Sequence, residues 1–176
     1  MSPVISNLVL KSFDAEIKSL ALKYGCECTR YADDICFSTD SSNFNREKAQ
    51  QLIGEVFKVI YKNGLKPNNK KTTIVPPGAK KIVTGLIVNK SKPRLTKDFK
   101  QNLETHLHFA EKYGVLSHIK KRDFNSTSGF RSHLWGLIQF ANSIEKDFGE
   151  DCKAKFETLD WEKAELFPDD KPSYWL

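Results

Sequence analysis

Residues 30–34 read Arg-Tyr-Ala-Asp-Asp, and the adjacent carboxylates of Asp33 and Asp34 are the side chains best suited to do chemistry. An apolar run, Ile35-Cys36-Phe37, follows at once, so the pair stands at the margin of a core. Two like charges there are unfavourable unless a cation compensates them. Mg²⁺ suits such a pair, because it takes one or two carboxylates plus substrate phosphates rather than a full protein cage. Read without context, the pair is better explained as a polar turn, since Asp is common in hairpins.

Other groups offer less. Cys26-x-Cys28 lacks a second ligand pair at zinc spacing, and Cys152 is isolated, so alternating cysteines on a half-buried strand is the better account. His106 and His108 are two positions apart and face different ways on a helix. Phe130, Trp135 and Phe140 could stack on bases, but the helical spacing of their neighbours favours core packing. Nothing resembles a nucleophile elbow or a Ser-His-Asp arrangement, which leaves a hydrolase without support.

The elements that must hold these residues follow from periodicity. Ser2-Pro3 begins a helix whose apolar stripe is Ile5, Leu8, Val9, Phe13, Ile17 and Leu20, stopped by Gly25. Residues 26–31 and 34–39 read as two short strands hinged at Asp33-Asp34. Ser41, Ser42 and Asn43 offer a cap for a second helix with Ala49, Leu52, Ile53, Val56, Phe57 and Ile60 on one face, ended by Asn63-Gly64. Residues 72–75 and 82–88 read as further strands on either side of a Pro76-Pro77-Gly78 turn. Beyond Pro93 the period is helical. Thr96 caps a helix with Phe99, Leu103, Leu107 and Ala110 inward, ended by Gly114. A second helix after residues 126–128 carries Phe130, Leu134, Leu137, Ile138, Ala141, Ile144 and Phe148, with Gly149 as terminator. The last 20 or so residues are acidic with Trp161, Phe167, Tyr174 and Trp175, which suits a short docked helix or a loose tail.

Charge is distributed unevenly. The 176 residues hold 28 Lys and Arg against 22 Asp and Glu, a net charge of +6. Residues 58–122 concentrate 16 basic side chains against 3 acidic ones, whereas 145–176 hold 5 basic against 10 acidic. Such a one-sided field favours polyanions, so nucleic acid is the leading partner. No apolar run approaches the length of a membrane span, and the first residues show no basic-then-apolar pattern, so membrane and secreted readings are not expected. Four clustered cysteines do not make a disulfide framework, and a cytoplasmic protein with free thiols is expected.

Tyr31-Ala32-Asp33-Asp34 resembles the YxDD metal-binding hairpin of reverse transcriptases, most closely the bacterial retron type. Further stretches match in the same order. Residues 2–7, Ser-Pro-Val-Ile-Ser-Asn, resemble the SPxxSN segment. Gly64-Leu65 followed by Asn68-Asn69-Lys70-Lys71-Thr72 is similar to the NxxKT element, and Val83-Thr84-Gly85-Leu86 to the VTG signature of retron enzymes. Helices from about 96 to 148 fit the position of a thumb. The resemblance covers residues 2–148, and the ordered set is far more specific than any one member.

The resemblance implies RNA-directed DNA polymerisation, with Asp33 the principal ligand of Mg²⁺ (or Mn²⁺ in its place) and Asp34 the weaker one. Lys71, or Lys70 beside it, would meet the departing pyrophosphate, with a plain surface charge as the alternative. Tyr31 and Ala32 would lie beneath the primer terminus, and Val83, Thr84, Gly85 and Leu86 would grip the primer strand. A buried strand with Gly85 as a bulge serves equally for that last segment. Lys120, Lys121 and Arg122 are the cations expected to hold a structured RNA.

The family's earlier palm aspartate, its basic fingers and its QG pair have no match here. We therefore expect the C-terminal half of the palm plus the thumb, partnered by a missing N-terminal half and inactive alone, whether as a truncated piece, a degenerate fragment or one subunit of a split enzyme. The expected architecture is α+β: a partial antiparallel palm sheet with packed helices over 1–93, a helical thumb over 94–150 and an acidic tail over 151–176. Its partners would be an RNA template and a DNA or RNA primer, with no membrane. Two other readings stay open at this point, a non-catalytic RNA-binding module and another palm-type nucleotidyl transferase or cyclase.

Overall fold

The computed structural model describes residues 3–161, so the Ser2 cap and the aromatics Phe167, Tyr174 and Trp175 lie outside the described residues. The chain is mixed α and β, and its described residues form two compact units divided between Ala79 and Lys80.

In the first unit, α1 (Pro3–Val9) and α2 (Lys11–Lys23) stand where the apolar period predicts one helix. The break at Leu10 separates a helix that has a core to pack on from one that does not. Phe13, Ile17 and Ala21 of α2 are buried, whereas Val4, Ile5, Leu8 and Val9 of α1 are exposed. Strands β1 (Glu27–Tyr31) and β2 (Asp34–Ser38) pair antiparallel from Glu27 opposite Ser38 to Tyr31 opposite Asp34. Helix α3 (Arg46–Lys62) is capped by Asn45, whose side chain accepts from the Lys48 amide, rather than by residues 41–43. The cap residue must stand directly before the first helical turn, and only Asn45 does. Leu52, Val56 and Ile60 of α3 close on Phe13, Ile17, Ala21 and Cys26, with the inner face of the hairpin half-buried against them. Residues 72–75 are not a strand; Ile74 and Val75 lie exposed with no ladder to join among the described residues.

In the second unit, residues 82–88 form a hairpin rather than one strand: β3 (Ile82–Val83) turns back as β4 (Leu86–Ile87), which also pairs with β5 (Arg94–Leu95). Thr84 and Gly85, with φ of 47° and 83°, supply the two positive dihedrals that a tight two-residue turn needs. Helix α4 (Lys97–Tyr113) starts at Thr96, whose hydroxyl accepts from the Phe99 amide, and ends at Gly114. Then come α5 (Val115–Arg122), α6 (Thr127–Ile144) and α7 (Lys146–Glu157).

The core of this unit is Leu103, Leu107, Phe130, Leu134, Ile138 and Ala141, joined by Cys152, Phe156, Leu159 and Trp161. The described part of the acidic tail is therefore docked. Gly149 does not end a helix; it is buried inside α7, where a Cβ would stand 2.3 Å from the Cα of Asn142. Its role is to let α7 approach the α6 backbone closely. Glu145, at the corner between those helices, accepts from the Leu95 amide and from Lys100 Nζ, tying the small sheet to α4.

Candidate metal-binding hairpin and nucleic-acid interface

The β1–β2 hairpin brings Tyr31, Ala32, Asp33 and Asp34 together at its tip, as their spacing predicts. Tyr31 and Asp34 are the last paired residues, so Ala32 and Asp33 make the turn, one position earlier than the expected Asp33-Asp34 hinge. Ala32 has φ of 51°, a left-handed backbone that costs a residue with a Cβ about 1–2 kcal/mol. Alternation along β1 turns Cys28 and Arg30 inward and leaves Tyr31 outward, 67% exposed.

Asp33 and Asp34 are both exposed, and neither makes an ion pair or side-chain hydrogen bond among the described residues. The neighbouring cation is committed elsewhere. Arg30 donates from Nε and Nη2 to the two carboxylate oxygens of Asp14, at 2.6 and 2.7 Å, and from Nη1 to the Ala32 carbonyl at 2.7 Å. The Arg30 guanidinium holds the Asp14 carboxyl below the usual carboxylate range, and Asp14 in turn raises the pKa of Arg30. Two exposed, hard carboxylates without an internal counter-cation fit Mg²⁺ or Mn²⁺, which completes its shell with water and phosphate oxygens. Among the described residues, no three His, Cys, Asp or Glu side chains converge on a metal position.

Lys70 and Lys71 lie in the same unit, exposed in a turn built on Asn68. The Asn68 carbonyl accepts from the amides of Lys71 and Thr72 and from the Thr72 hydroxyl, and its side chain accepts from the Lys71 amide. Asn68 and Thr72 thus shape the loop, which leaves the lysine ammonium groups to solvent.

In the second unit, Val83 and Leu86 are the last paired residues of the β3–β4 hairpin, and Thr84 with Gly85 form its exposed turn. The segment is a tight hairpin rather than one strand with a bulge at Gly85. Leu86 packs on the helical core while the turn projects from it. Lys120, Lys121 and Arg122 occupy the last turn of α5, all exposed, where cations also complement the helix dipole. Lys121 stands 5.8 Å from the ring centre of Phe109 and shares a shallow cleft with Phe109, Tyr113, Ser117 and His118.

Three features escaped the sequence reading. The Asp14–Arg30 pair links residues 16 apart, and α5 was hidden because its few apolar residues follow Gly114. His106 is buried and pairs with His118, Nδ1 to Nε2 at 2.9 Å, rather than relating to the exposed His108. Burial first, then the nearby His118, Arg122 and His133, push the His106 pKa down to about 4. Burial with Arg122 and Lys121 lowers that of His118. The four cysteines are free, and burial raises the Cys28 and Cys152 thiols to about 11, the opposite of a reactive or metal-poised thiol. Phe130 is a core residue, while Trp135 and Phe140 are partly exposed and pair with Phe156 and Phe99.

Comparison with known proteins gives the family of the chain. Residues 1–130 match the family described as reverse transcriptase (RNA-dependent DNA polymerase). The chain is 34% identical over 156 residues to the retron Ec83 reverse transcriptase of Escherichia coli, covering 88% of this chain and 46% of that protein. It is 29% identical over 160 residues to the retron Ec86 reverse transcriptase of the same organism, covering 89% and 48%. Against the retron Mx65 reverse transcriptase of Myxococcus xanthus it is 31% identical over 149 residues, covering 85% and 31%. The chain therefore spans half or less of the length of these relatives.

Proposed function

We propose a role for this chain from one premise: it belongs to the reverse transcriptase (RNA-dependent DNA polymerase) family, and its relatives are of the retron type. It supplies the metal-binding hairpin and thumb of an RNA-directed DNA polymerase. Asp33 and Asp34 hold Mg²⁺, or Mn²⁺ in its place, and the cation when bound supplies Lewis-acid stabilisation of charge on phosphate oxygens. Tyr31 and Ala32 seat the primer terminus against the hairpin tip. Lys71, with Lys70 beside it, offers an ammonium group to the departing pyrophosphate. Val83, Thr84, Gly85 and Leu86 present a rigid hairpin to the primer strand, and Lys120, Lys121 and Arg122 bind phosphates of a structured RNA template.

The observation that carries this reading is the pair of exposed, uncompensated carboxylates at a tight turn whose nearest guanidinium is already committed to Asp14. Two others support a partner for this region. The β1–β2 sheet has only two strands among the described residues, so both outer edges are open for pairing. Helix α1 also leaves Val4, Ile5, Leu8 and Val9 uncovered. Both features suit the C-terminal half of a palm that receives the rest of the polymerase.

The test is primer extension on an RNA template by the chain reassembled with a palm-and-fingers half. We expect deoxynucleotide incorporation that requires Mg²⁺ or Mn²⁺, and none from the 176-residue chain alone. Robust incorporation by the chain alone would refute the two-part reading. RNA binding that persists in a reassembled protein with no incorporation would favour the non-catalytic module instead.

A further inference from the structure

Arg30 is the least exposed charged side chain around the hairpin, at 8%, and burying a guanidinium is unfavourable unless its donors are satisfied. Three of its nitrogens are. The fork formed by Nε and Nη2 meets both oxygens of Asp14, and Nη1 meets the Ala32 carbonyl. Asp14 is itself fixed, because α2 is anchored by the buried neighbours Phe13 and Ile17. A continuous path of charge-assisted bonds thus runs from a packed helix to the backbone of the turn. That turn is strained at Ala32, whose left-handed φ of 51° persists only if its surroundings hold it. The residue after Ala32 is Asp33.

We propose that Asp14 and Arg30 are positioning residues: through the Ala32 carbonyl they hold the left-handed turn that sets where the Asp33 carboxylate stands for a divalent cation. This inference rests on the metal-binding reading of the hairpin. Asp14 has a second effect. By occupying the guanidinium, it keeps Arg30 from neutralising Asp33 or Asp34, which would compete with the cation. The pair therefore aims the site and preserves its negative charge at once. Lys cannot replace Arg30, since one ammonium cannot reach a bidentate carboxylate and a backbone carbonyl in the same planar geometry.

The experiment uses the full chain, with ¹⁵N-resolved NMR of the turn and Mn²⁺ titration followed by paramagnetic broadening, beside a thermal melt. In Arg30→Lys and in Asp14→Asn we expect shifted Ala32 and Asp33 amides and Mn²⁺ affinity about 5- to 10-fold weaker. Asp14→Asn keeps the shape of a half-exposed side chain, so it remains informative if Arg30→Lys folds poorly. The exchanged pair, Asp14→Arg with Arg30→Asp, restores the ion pair but has no donor for the Ala32 carbonyl. It should recover thermal stability without recovering Mn²⁺ affinity, which a merely structural salt bridge would not produce. Unchanged turn resonances and Mn²⁺ affinity in both single variants, or full recovery of affinity in the exchanged pair, would overturn the positioning role. Asp33→Asn serves as the reference: undiminished Mn²⁺ broadening at the hairpin in that variant would overturn the metal site itself, and the inference with it.

Discussion

The two units of this chain treat apolar surface in opposite ways. The second buries Leu103, Phe130, Leu134, Ile138 and Ala141 completely, and α6 and α7 approach closely enough to require Gly149. The first covers α2 and one face of a two-stranded hairpin with α3, yet among the described residues leaves α1 exposed and both sheet edges unpaired. The Asp33–Asp34 pair stands exposed at the tip of that hairpin. The contrast shows how unequally one chain can cover apolar surface: a continuous helical core in one unit, an incompletely covered hairpin in the other. Among the described residues, one unit buries a continuous helical core and the other leaves apolar side chains of α1 exposed.

The largest effect that would sharpen this contrast is catalytic. In the reassembled polymerase, Asp33→Asn should reduce primer extension on the order of 10³-fold or more while the melt of the chain stays in place. Asp34→Asn should lose less. Full extension by Asp33→Asn would remove the reason for the exposed hairpin, and an unfolded Asp33→Asn would make its carboxylate a turn former only.

The next effect lies in the helical unit. Gly149→Ala places a methyl against the Asn142 backbone, where neither partner can yield cheaply, and should destabilise this unit by about 3 kcal/mol. The expected signature is loss of α6 and α7 amide protection while the amide spectrum of residues 1–79 is unchanged; parallel loss in both units would mean that they fold as one.

Reversing Lys120, Lys121 and Arg122 to Glu should weaken binding of hairpin RNA about 10- to 100-fold at moderate salt. The salt slope should flatten by about 0.9 for each RNA phosphate that these cations no longer neutralise. A titration with unaltered slope would move the RNA surface elsewhere.

A smaller effect comes from the buried histidines. The His106 pKa is about 4 in the folded chain against an ordinary 6.5, so the unfolded chain binds more protons between those values. Stability contributed by the neutral imidazole is full above about pH 6.5 and is lost progressively as pH falls toward about 4. Thermal melts of the helical unit should follow that window, and His106→Gln should flatten the dependence. A profile unaffected by His106→Gln would assign the acid loss to other groups. The smallest effect is at the uncovered helix: Leu8→Ser should change the stability of the chain by no more than about 0.5 kcal/mol and improve its solubility. A loss of several kcal/mol there would show that α1 is covered in solution.

Much of the scaffold is written in short-range pattern. The helical period gave α3, α4 and α6; the Thr96 cap is local chemistry completed within three residues, and so is recognisable in the sequence. The same holds for the YADD tip, where alternation on both sides of a polar turn fixes a hairpin and exposes two carboxylates. The family, too, was legible, because several motifs in fixed order carry more information than any one of them.

Local pattern does not specify which distant backbone will approach a glycine or which carboxylate will take a given guanidinium. Gly149 reads as a helix stop because Gly usually is one, and only the packing of α7 on Asn142 makes it a contact residue. Residues 82–88 read as one strand because all but Gly85 suit a strand; the reversal at Thr84-Gly85 becomes visible through the pairing of β3 with β4 and of β4 with β5. Asp14 with Arg30, and His106 with His118, meet because helices and strands pack, not because of their spacing. Sequence alone therefore determined α3, α4, most of α6 and the hairpin tip. Tertiary structure decided the partners, since close approach and charge pairing depend on distances that the chain sets only when its elements come together.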